Sequence, residues 1–206
     1  MTKTLVVNCS LKTKSEGLVE AIREFSEVNL FADFSLIDAK HRIGGDMDAV
    51  VVSGSSARIV HPAERQMFSG VVDLIRTCDL PLLAICYGHQ LLCHTFGAQV
   101  GTLPHGVFRF ENVRVLQPDE VFSTFVKMQT IPLSESHYDY VLKESLEQAG
   151  FVLLADSQSC EVEAVKHRSK PFYGFQFHPE RITTETETHP EGHKILENFY
   201  RNVVKK

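Results

Sequence analysis

The feature that most constrains the fold is a series of short, wholly apolar runs that alternate with helical patterns in the first half of the chain. The apolar runs lie at residues 5–7, 49–52 and 82–85, with a weaker one at 34–37, and the helical patterns at residues 16–28, 64–77 and 88–96. Strands without polar alternation are buried on both faces, which is typical of parallel sheets. We therefore expect an α/β fold, an open and mostly parallel sheet of the flavodoxin-like type with helices on both faces.

The second half of the chain has a different pattern. Short alternating or apolar runs follow one another with few helical signals, at residues 108–116, 125–131, 151–154, 162–165 and 172–177. These runs predict antiparallel strands that extend or flank the parallel core. A last helix is expected to start near Pro190. Because the chain contains no internal repeat, low-complexity tract or linker, we expect one domain over residues 1–206.

Charge, hydropathy and cysteine content exclude several classes of protein. The formal net charge is -5, and nothing in the sequence suggests the basic stripe of a nucleic-acid-binding protein. No apolar run approaches the roughly 20 residues that span a bilayer, and the N-terminus lacks a signal-peptide pattern, so no membrane association is expected. The cysteines number 5 and are scattered, which argues against a disulfide framework and for a cytoplasmic location.

The most informative segment is residues 82–90, which reads as a strand, one sharp turn and a helix. Cys86 lies at the turn, with the small residues Ala84 and Gly88 two positions before and after it. This is the pattern of a nucleophile elbow, in which strand and helix approach closely and the nucleophile has strained backbone geometry. The partial positive charge of the helix N-terminus favours a thiolate there. Taken alone, the spacing leaves open that Cys86 is simply a small apolar residue of the core.

A second segment, residues 172–180, supplies a base for such a nucleophile. A hydrophobic run ends at His178, Pro179 and Glu180. Because proline cannot donate to a sheet ladder, the strand stops there and presents His178 at its end, where active sites of open α/β sheets lie. Glu180 can turn back to orient the imidazole and stabilise its cation. A buried structural histidine beside a surface glutamate is the alternative for this segment taken alone.

A metal site is an alternative for the region around the elbow. Ligand-type side chains occur there at near-helical spacing, namely Cys86, His89, Cys93 and His94. Structural zinc normally uses paired ligands on loops, however, and adjacent residues such as Cys93 and His94 point in different directions on a helix. We therefore expect no metal, and no cofactor.

The residues now on the page are similar to those of a known family. AICYGHQ (84–90) and GFQFHPE (174–180) closely resemble the two signatures of class I, triad-type glutamine amidotransferase domains. VVVSGS (50–55) is similar to the loop that builds the oxyanion hole in that family. ESHYD (135–139) and GHKILENFY (192–200) resemble segments of its GMP-synthase-like glutaminase subunit branch, so the resemblance extends across nearly the whole chain.

The resemblance implies a role for each matching residue. Cys86 would attack the side-chain amide carbon of glutamine, His178 would protonate the departing ammonia and then activate water, and Glu180 would orient His178. The oxyanion would be held by backbone N–H groups of Gly54, Ser55 and Tyr87. The substrate would be bound by Gln90, Ser136, Tyr138 and Asp139, although residues 136–139 also read as a polar turn.

One departure from the family pattern concerns the oxyanion loop. The family usually has Ser-Gly-Gly-Pro, whereas residues 53–56 read Ser-Gly-Ser-Ser. A backbone donor survives such a change, but the Cβ of Ser55 resists a positive φ. We therefore expect that formation of the hole requires a partner or ligand.

Three functions follow from these motifs. The first is a glutaminase that delivers ammonia to a synthetase; since the chain has no Walker-type loop and no Ser-Gly-Gly-x-Asp-Ser nucleotide motif, any ATP-dependent step is expected on a separate protein partner. The second is a stand-alone hydrolase of γ-glutamyl peptides or conjugates with the same triad. The third is a catalytically silent binding or regulatory protein, against which the combination of Cys86, His178 and Glu180 argues.

Overall fold

The computed structural model describes residues 2–12, 14–37 and 46–205. The strands of this part are β1 (Lys3–Val7), β2 (Glu27–Phe31), β3 (Ala49–Val52), β4 (Leu82–Ile85), β5 (Val100–Val107), β6 (Phe110–Val115), β7 (Thr130–Ser134), β8 (His137–Val141), β9 (Phe151–Asp156), β10 (Ala164–His167) and β11 (Phe172–Phe175). The helices are α1 (Glu16–Arg23), α2 (Pro62–Gln66), α3 (Ser69–Thr77), α4 (Tyr87–Thr95) and α5 (Glu191–Phe199), which continues as a π-helical turn over Tyr200–Val204.

The sheet has a parallel part and an antiparallel part. Its order is β2-β1-β3-β4-β11-β10-β9-β6-β7. Neighbouring strands from β2 to β11 run parallel, and those from β11 to β7 run antiparallel. Strands β5 and β8 form a separate antiparallel pair. The predicted fold class, a mostly parallel core with antiparallel strands in the C-terminal half, is confirmed.

Two apolar cores lie on opposite faces of the sheet. One is built under α3 and α4, with Phe68, Leu74 and Leu91 fully or almost fully buried. The other lies under α1 and α5, where Ile22 and Phe199 are buried. The residues of β3 and β4 are buried throughout, because helices cover both of their faces.

Several local predictions in the first half of the chain are wrong. The helix predicted over residues 16–28 ends at Arg23, and residues 27–31 form an edge strand instead. The weak strand predicted at 34–37 is a 3₁₀ turn. Ser15 does not cap α1, since its backbone is left-handed and its hydroxyl bonds Oδ1 of Asn8 at 2.6 Å. The helix predicted over 64–77 is two helices, and Met67, assigned to the apolar stripe, is exposed between them.

The predicted strands of the second half are present with shifted bounds. The sequence reading missed the pair of β5 and β8, whose residues 100–107 and 137–141 contain Gly, Pro, His and Asp. Such residues have low β-propensity, and pairing with each other overrides it. Pro190 precedes the last helix as predicted. None of the helices within the described residues is long and apolar enough to cross a membrane.

Candidate active site

Cys86 lies at the sharp turn between β4 and α4. Its φ of 52° and ψ of -109° are far from the regions that non-glycine residues prefer, and its N–H donates to the carbonyl of Phe175 at 2.7 Å. A Cβ at Gly88 would stand 2.6 Å from the carbonyl oxygen of Val52, which explains why the position after the turn must be glycine. The predicted elbow, with its strained residue and its close approach of strand and helix, is confirmed.

His178 reaches this turn because β11 lies beside β4. The register pairs Phe175 with Ile85, so the residues that follow the two strands meet at the same edge of the sheet. The N–H of His178 donates to the carbonyl of Ser134 at 2.8 Å, which fixes the backbone there. Nδ1 of His178 lies 2.8 Å from Oε1 of Glu180. All three residues of the predicted triad are therefore brought together, with Cys86 and His178 buried.

The electrostatics of this group favour a charged imidazole. Burial alone would lower the pKa of His178, but the Glu180 carboxylate and the Cys86 thiol outweigh it and raise that pKa to about 9. Burial likewise opposes the charge on Glu180, yet the charge of His178 and its hydrogen bond hold the pKa of Glu180 below its ordinary value. A protonated imidazole beside a cysteine stabilises the thiolate, which is the reactive form of the residue.

A cleft of about 620 Å³ opens over this group. The loop after β3 forms one wall, and Gly54 lies so close that a Cβ there would stand 3.2 Å from Cε1 of His178 and 3.4 Å from Cβ of Cys86. Side chains or backbone from every predicted substrate and oxyanion residue line the same cleft: Gly54, Ser55, Tyr87, Gln90, Ser136, Tyr138 and Asp139. The structure thus gathers in one cavity the segments that the sequence analysis selected.

The oxyanion loop does not need the backbone that was expected to strain it. Within the described residues the non-glycine positions with positive φ are Ser15, Cys86 and Met128, so Ser55 has an ordinary φ. Its hydroxyl accepts a hydrogen bond from the N–H of Ala57 at 3.1 Å, which closes a local turn. On the other side of the thiol, Tyr87 is the first residue of α4, so its N–H has no partner within the helix.

Gln90 and Ser136 lie directly beside Cys86 and its surroundings. The side-chain nitrogen of Gln90 donates to the carbonyl of Asp139 at 2.6 Å and to Oε1 of Gln176 at 3.1 Å. Its Oε1 accepts no hydrogen bond from the residues that the structure describes. The Cys86 thiol lies 3.6 Å from the carbonyl oxygen of Ser136 and 3.8 Å from Nε2 of Gln176. Strand β8, which includes part of the segment that also read as a polar turn, therefore forms a wall of the site.

Asp139 has protein partners that occupy its carboxylate. Oδ1 accepts hydrogen bonds from Nη2 of Arg58 at 2.6 Å, Nε of Arg58 at 2.9 Å and the hydroxyl of Thr102 at 2.8 Å. The guanidinium of Arg58 also lies over the ring of Tyr138, 5.0 Å from its centroid. Tyr138 itself is half exposed at the mouth of the cleft. Arg58 lines the cleft as well, so the group that Asp139 presents to the cavity is the arginine it holds.

The alternative metal ligands are placed as core residues. His89 is fully buried, with Nδ1 3.7 Å from Sγ of Cys93, and burial, followed by the charge of His137, lowers the pKa of His89 to about 3. In the part of the chain that the structure describes, no three His, Cys, Asp or Glu side chains are grouped to hold a metal ion. All cysteines are free and buried.

Sequence reasoning missed three residues around the site. Arg58 follows the oxyanion loop, and only the tertiary pairing with Asp139 gives it a place in the cleft. His137 is buried with Nδ1 3.0 Å from the carbonyl of Asp139. Glu135 is buried behind the site. The last two lie inside the segment 135–139 that had been selected as a motif, and an inward-facing alternation along β8 was the signal that could have identified His137.

An open α/β sheet with a strained cysteine at a strand–helix turn, next to a histidine–glutamate pair, defines a hydrolase-like architecture with a cysteine nucleophile. The family can be stated more closely, because residues 8–203 match the model of class-I glutamine amidotransferases. The chain belongs to the class-I glutamine amidotransferase family.

Individual relatives agree with this assignment. The chain is 39% identical over 129 residues to the glutamine-hydrolysing GMP synthase subunit of Methanothermobacter thermautotrophicus, an alignment of 63% of this chain and 64% of the relative. The corresponding subunit from Methanocaldococcus jannaschii is 38% identical over 128 residues, which is 62% of this chain and 63% of that protein. The chain thus matches just under two thirds of the length of these relatives.

The fold is shared over a larger part of the chain. A solved structure from Thermoplasma acidophilum, described provisionally as a GMP synthase subunit, has a TM-score of 0.81 and 27% identity, and covers 97% of this chain and 92% of that one. A glutamine amidotransferase from Thermotoga maritima has a TM-score of 0.71 at 18% identity, covering 87% of this chain and 76% of that one, a likeness of fold alone.

Proposed function

We propose that this protein hydrolyses the side-chain amide of glutamine through a thioester on Cys86 and releases ammonia for use by a separate synthetase. The observation that carries the proposal is the arrangement of Cys86, His178 and Glu180 at one edge of the sheet, in a chain of the class-I glutamine amidotransferase family. The relatives are named as the glutamine-hydrolysing subunit of a GMP synthase, and these names support the same reaction and a second protein that receives the ammonia.

The proposed reaction has two halves. The Cys86 thiolate attacks the amide carbon, and the tetrahedral oxyanion is held by backbone N–H groups of Tyr87 and of Gly54 or Ser55, each of which contributes about 3–4 kcal/mol to such a transition state. His178 gives its proton to the leaving nitrogen, so ammonia departs and a γ-glutamyl thioester remains. His178 then takes a proton from water as the water attacks the thioester, and glutamate and the thiolate are released.

The remaining predicted residues bind the substrate in this proposal. The free Oε1 of Gln90 and the backbone around Ser136 face the cleft beside the thiol. Asp139 is proposed to act through Arg58, because its carboxylate is already taken up by that guanidinium. Tyr138 packs against Arg58 at the mouth. Neither role requires a metal or a cofactor.

The wider setting is also proposed. The chain acts as one domain, in the cytoplasm, and an ATP-dependent synthetase on a separate chain activates the acceptor of the ammonia. The absence of a Walker-type loop and of a Ser-Gly-Gly-x-Asp-Ser motif from the sequence supports a division of labour between two proteins.

Replacement of the nucleophile tests the proposal. We expect Cys86→Ala to abolish release of ammonia from glutamine while the circular dichroism spectrum and melting temperature remain those of a folded protein. A glutamine-analogue electrophile should add its mass to the peptide that contains Cys86. Cys93→Ala, a change to another free and buried cysteine on α4, is the matched control and should retain labelling and activity.

The same assays separate the other functions. Activity of Cys86→Ala equal to that of the wild type would refute the mechanism. Cleavage of γ-glutamyl dipeptides without cleavage of glutamine would assign a conjugate hydrolase. No turnover of either substrate, with a synthetase partner present, would leave a binding protein.

A further inference from the structure

Behind the thiol lies a pair of buried carboxyl groups that the proposed mechanism does not use. Glu135 is 2% exposed and Glu163 is 0% exposed. Glu163 accepts a hydrogen bond from the hydroxyl of Ser157 at 2.6 Å through Oε1. Both oxygens of Glu135 are buried, and as a carboxylate it would find no donor for either of them among the described residues. A buried charge without donors or a counter-ion costs several kcal/mol, so such a group instead binds a proton.

His137 gives independent evidence about where that proton lies. Its Nδ1 is 3.0 Å from the carbonyl oxygen of Asp139, and because a carbonyl only accepts, Nδ1 carries the proton. Its Nε2 is buried and lies 3.4 Å from Oε2 of Glu135. Two acceptors would face each other there if the imidazole were neutral and the carboxyl ionised. One proton must lie between the two residues.

The surroundings place this proton on Glu135 rather than on His137. The groups that face Glu135 are Glu163, Glu111, His137 and Cys86, and the first two carry negative charge when ionised. Burial, and then the charge of Glu163, raises the pKa of Glu135 well above its ordinary value. Burial lowers the pKa of His137. A neutral acid beside a neutral imidazole satisfies both tendencies.

We propose that Glu135 is a positioning residue that acts as a neutral carboxylic acid, whose proton bridges to Glu163 or His137 and so holds the segment 134–137 against the nucleophile. The segment is fixed at both ends of the acid: the carbonyl of Ser134 accepts from the N–H of His178 at 2.8 Å, and the carbonyl of Ser136 lies 3.6 Å from the Cys86 thiol. Loss of the proton would place a second negative charge beside the thiolate. The inference rests on the proposed nucleophile, Cys86.

Two substitutions distinguish a neutral acid from a carboxylate. Glu135→Gln keeps a donor and cannot ionise, so kcat/KM for glutamine should stay close to that of the wild type. Glu135→Ala leaves Glu163 and His137 without this partner and should lower kcat/KM roughly 10- to 100-fold. Glu161→Gln, an exposed glutamate near Glu163 in sequence, is the control. An equal loss in the Gln and Ala variants would overturn the proposal, as would no loss in either.

A direct observation on the wild-type protein does not depend on activity or on the folding of a variant. In a chain labelled with carbon-13 at glutamate carboxyl groups, one resonance at pH 7 should have the shift of a protonated acid and disappear in Glu135→Gln. A carboxylate shift for Glu135 at pH 7 would overturn the proposal. Absence of glutamine hydrolysis by the wild type, with this resonance present, would count against the proposed function and leave the assignment of Glu135 standing.

Discussion

Single residues carry most of the chemistry that the sequence predicted. The strained φ of Cys86 and the contact between His178 and Glu180 were expected from three residue types at two spacings. Ser15 shows the opposite case, because a serine before an apolar periodic segment is a common helix cap, yet its hydroxyl bonds Asn8. A residue-type preference is overridden when a tertiary partner offers a better hydrogen bond.

The pKa of His178 gives a prediction at this scale. The carboxylate of Glu180 is the largest influence that raises this pKa to about 9, so Glu180→Gln should lower it, since burial then opposes the cation without compensation. His178 must be protonated when ammonia leaves. We therefore expect the alkaline limb of the pH profile of kcat/KM to move to lower pH, with activity at pH 8 reduced roughly 100-fold.

The measurement is the rate of ammonia release across pH 5 to 10. Glu187→Gln, a neutral change to an exposed glutamate of the same C-terminal region, should leave the profile unchanged. An alkaline limb that stays in place in Glu180→Gln would contradict the assigned cause of the shift.

At the scale of elements, the contact of β3, β4 and α4 sets the geometry of the elbow. The short apolar strands predicted this part of the sheet well, because strands buried on both faces have an unambiguous pattern. Helix bounds were predicted less well, and the pair of β5 and β8 was missed. The sequence signal of such strands is weak because their stability comes from pairing with distant residues.

Gly88 offers a prediction for this contact. A Cβ there would stand 2.6 Å from the carbonyl oxygen of Val52, an atom of the backbone that cannot move freely. Gly88→Ala should therefore lower the free energy of unfolding by about 1–3 kcal/mol, as overpacking typically does, and reduce labelling of Cys86. Denaturant unfolding and electrophile labelling measure the two effects.

Gly17 is the matched control on another helix. A Cβ at this position meets nothing within 4 Å, and alanine is preferred over glycine inside helices by roughly 0.5–1 kcal/mol. Gly17→Ala should therefore stabilise the protein slightly and leave labelling unchanged. Equal effects of the two substitutions would contradict the packing argument.

For the whole molecule, buried ionisable groups make stability depend on pH. Burial raises the pKa of Glu163 from an ordinary 4.5 to about 7, so its contribution is present below pH 4.5 and is lost as the pH rises through about 7. His178 has a raised pKa as well, and its contribution, present below pH 6.5, is lost as the pH rises through about 9. Both groups act in the same direction.

We accordingly expect the free energy of unfolding to fall as the pH is raised from 5 to 9. Glu163→Gln, which keeps a neutral polar group in place, should reduce this fall, and thermal or denaturant unfolding at several pH values measures it. Glu161→Gln, at an exposed site, should not. Stability that rises over this range in the wild type would contradict the burial of a neutral pair.

The sequence by itself determined the parallel core, the elbow at Cys86 and the identity of its partners, because each depends on residue types at short spacings. Only the tertiary structure decided that β11 lies beside β4 and so brings His178 to the thiol, that Asp139 holds Arg58, and that Glu135 faces Glu163 and His137. These three facts join residues that are distant in sequence or follow from burial. Strand order and exclusion of water, which fix the charge and the partners of such groups, leave no local pattern in the chain.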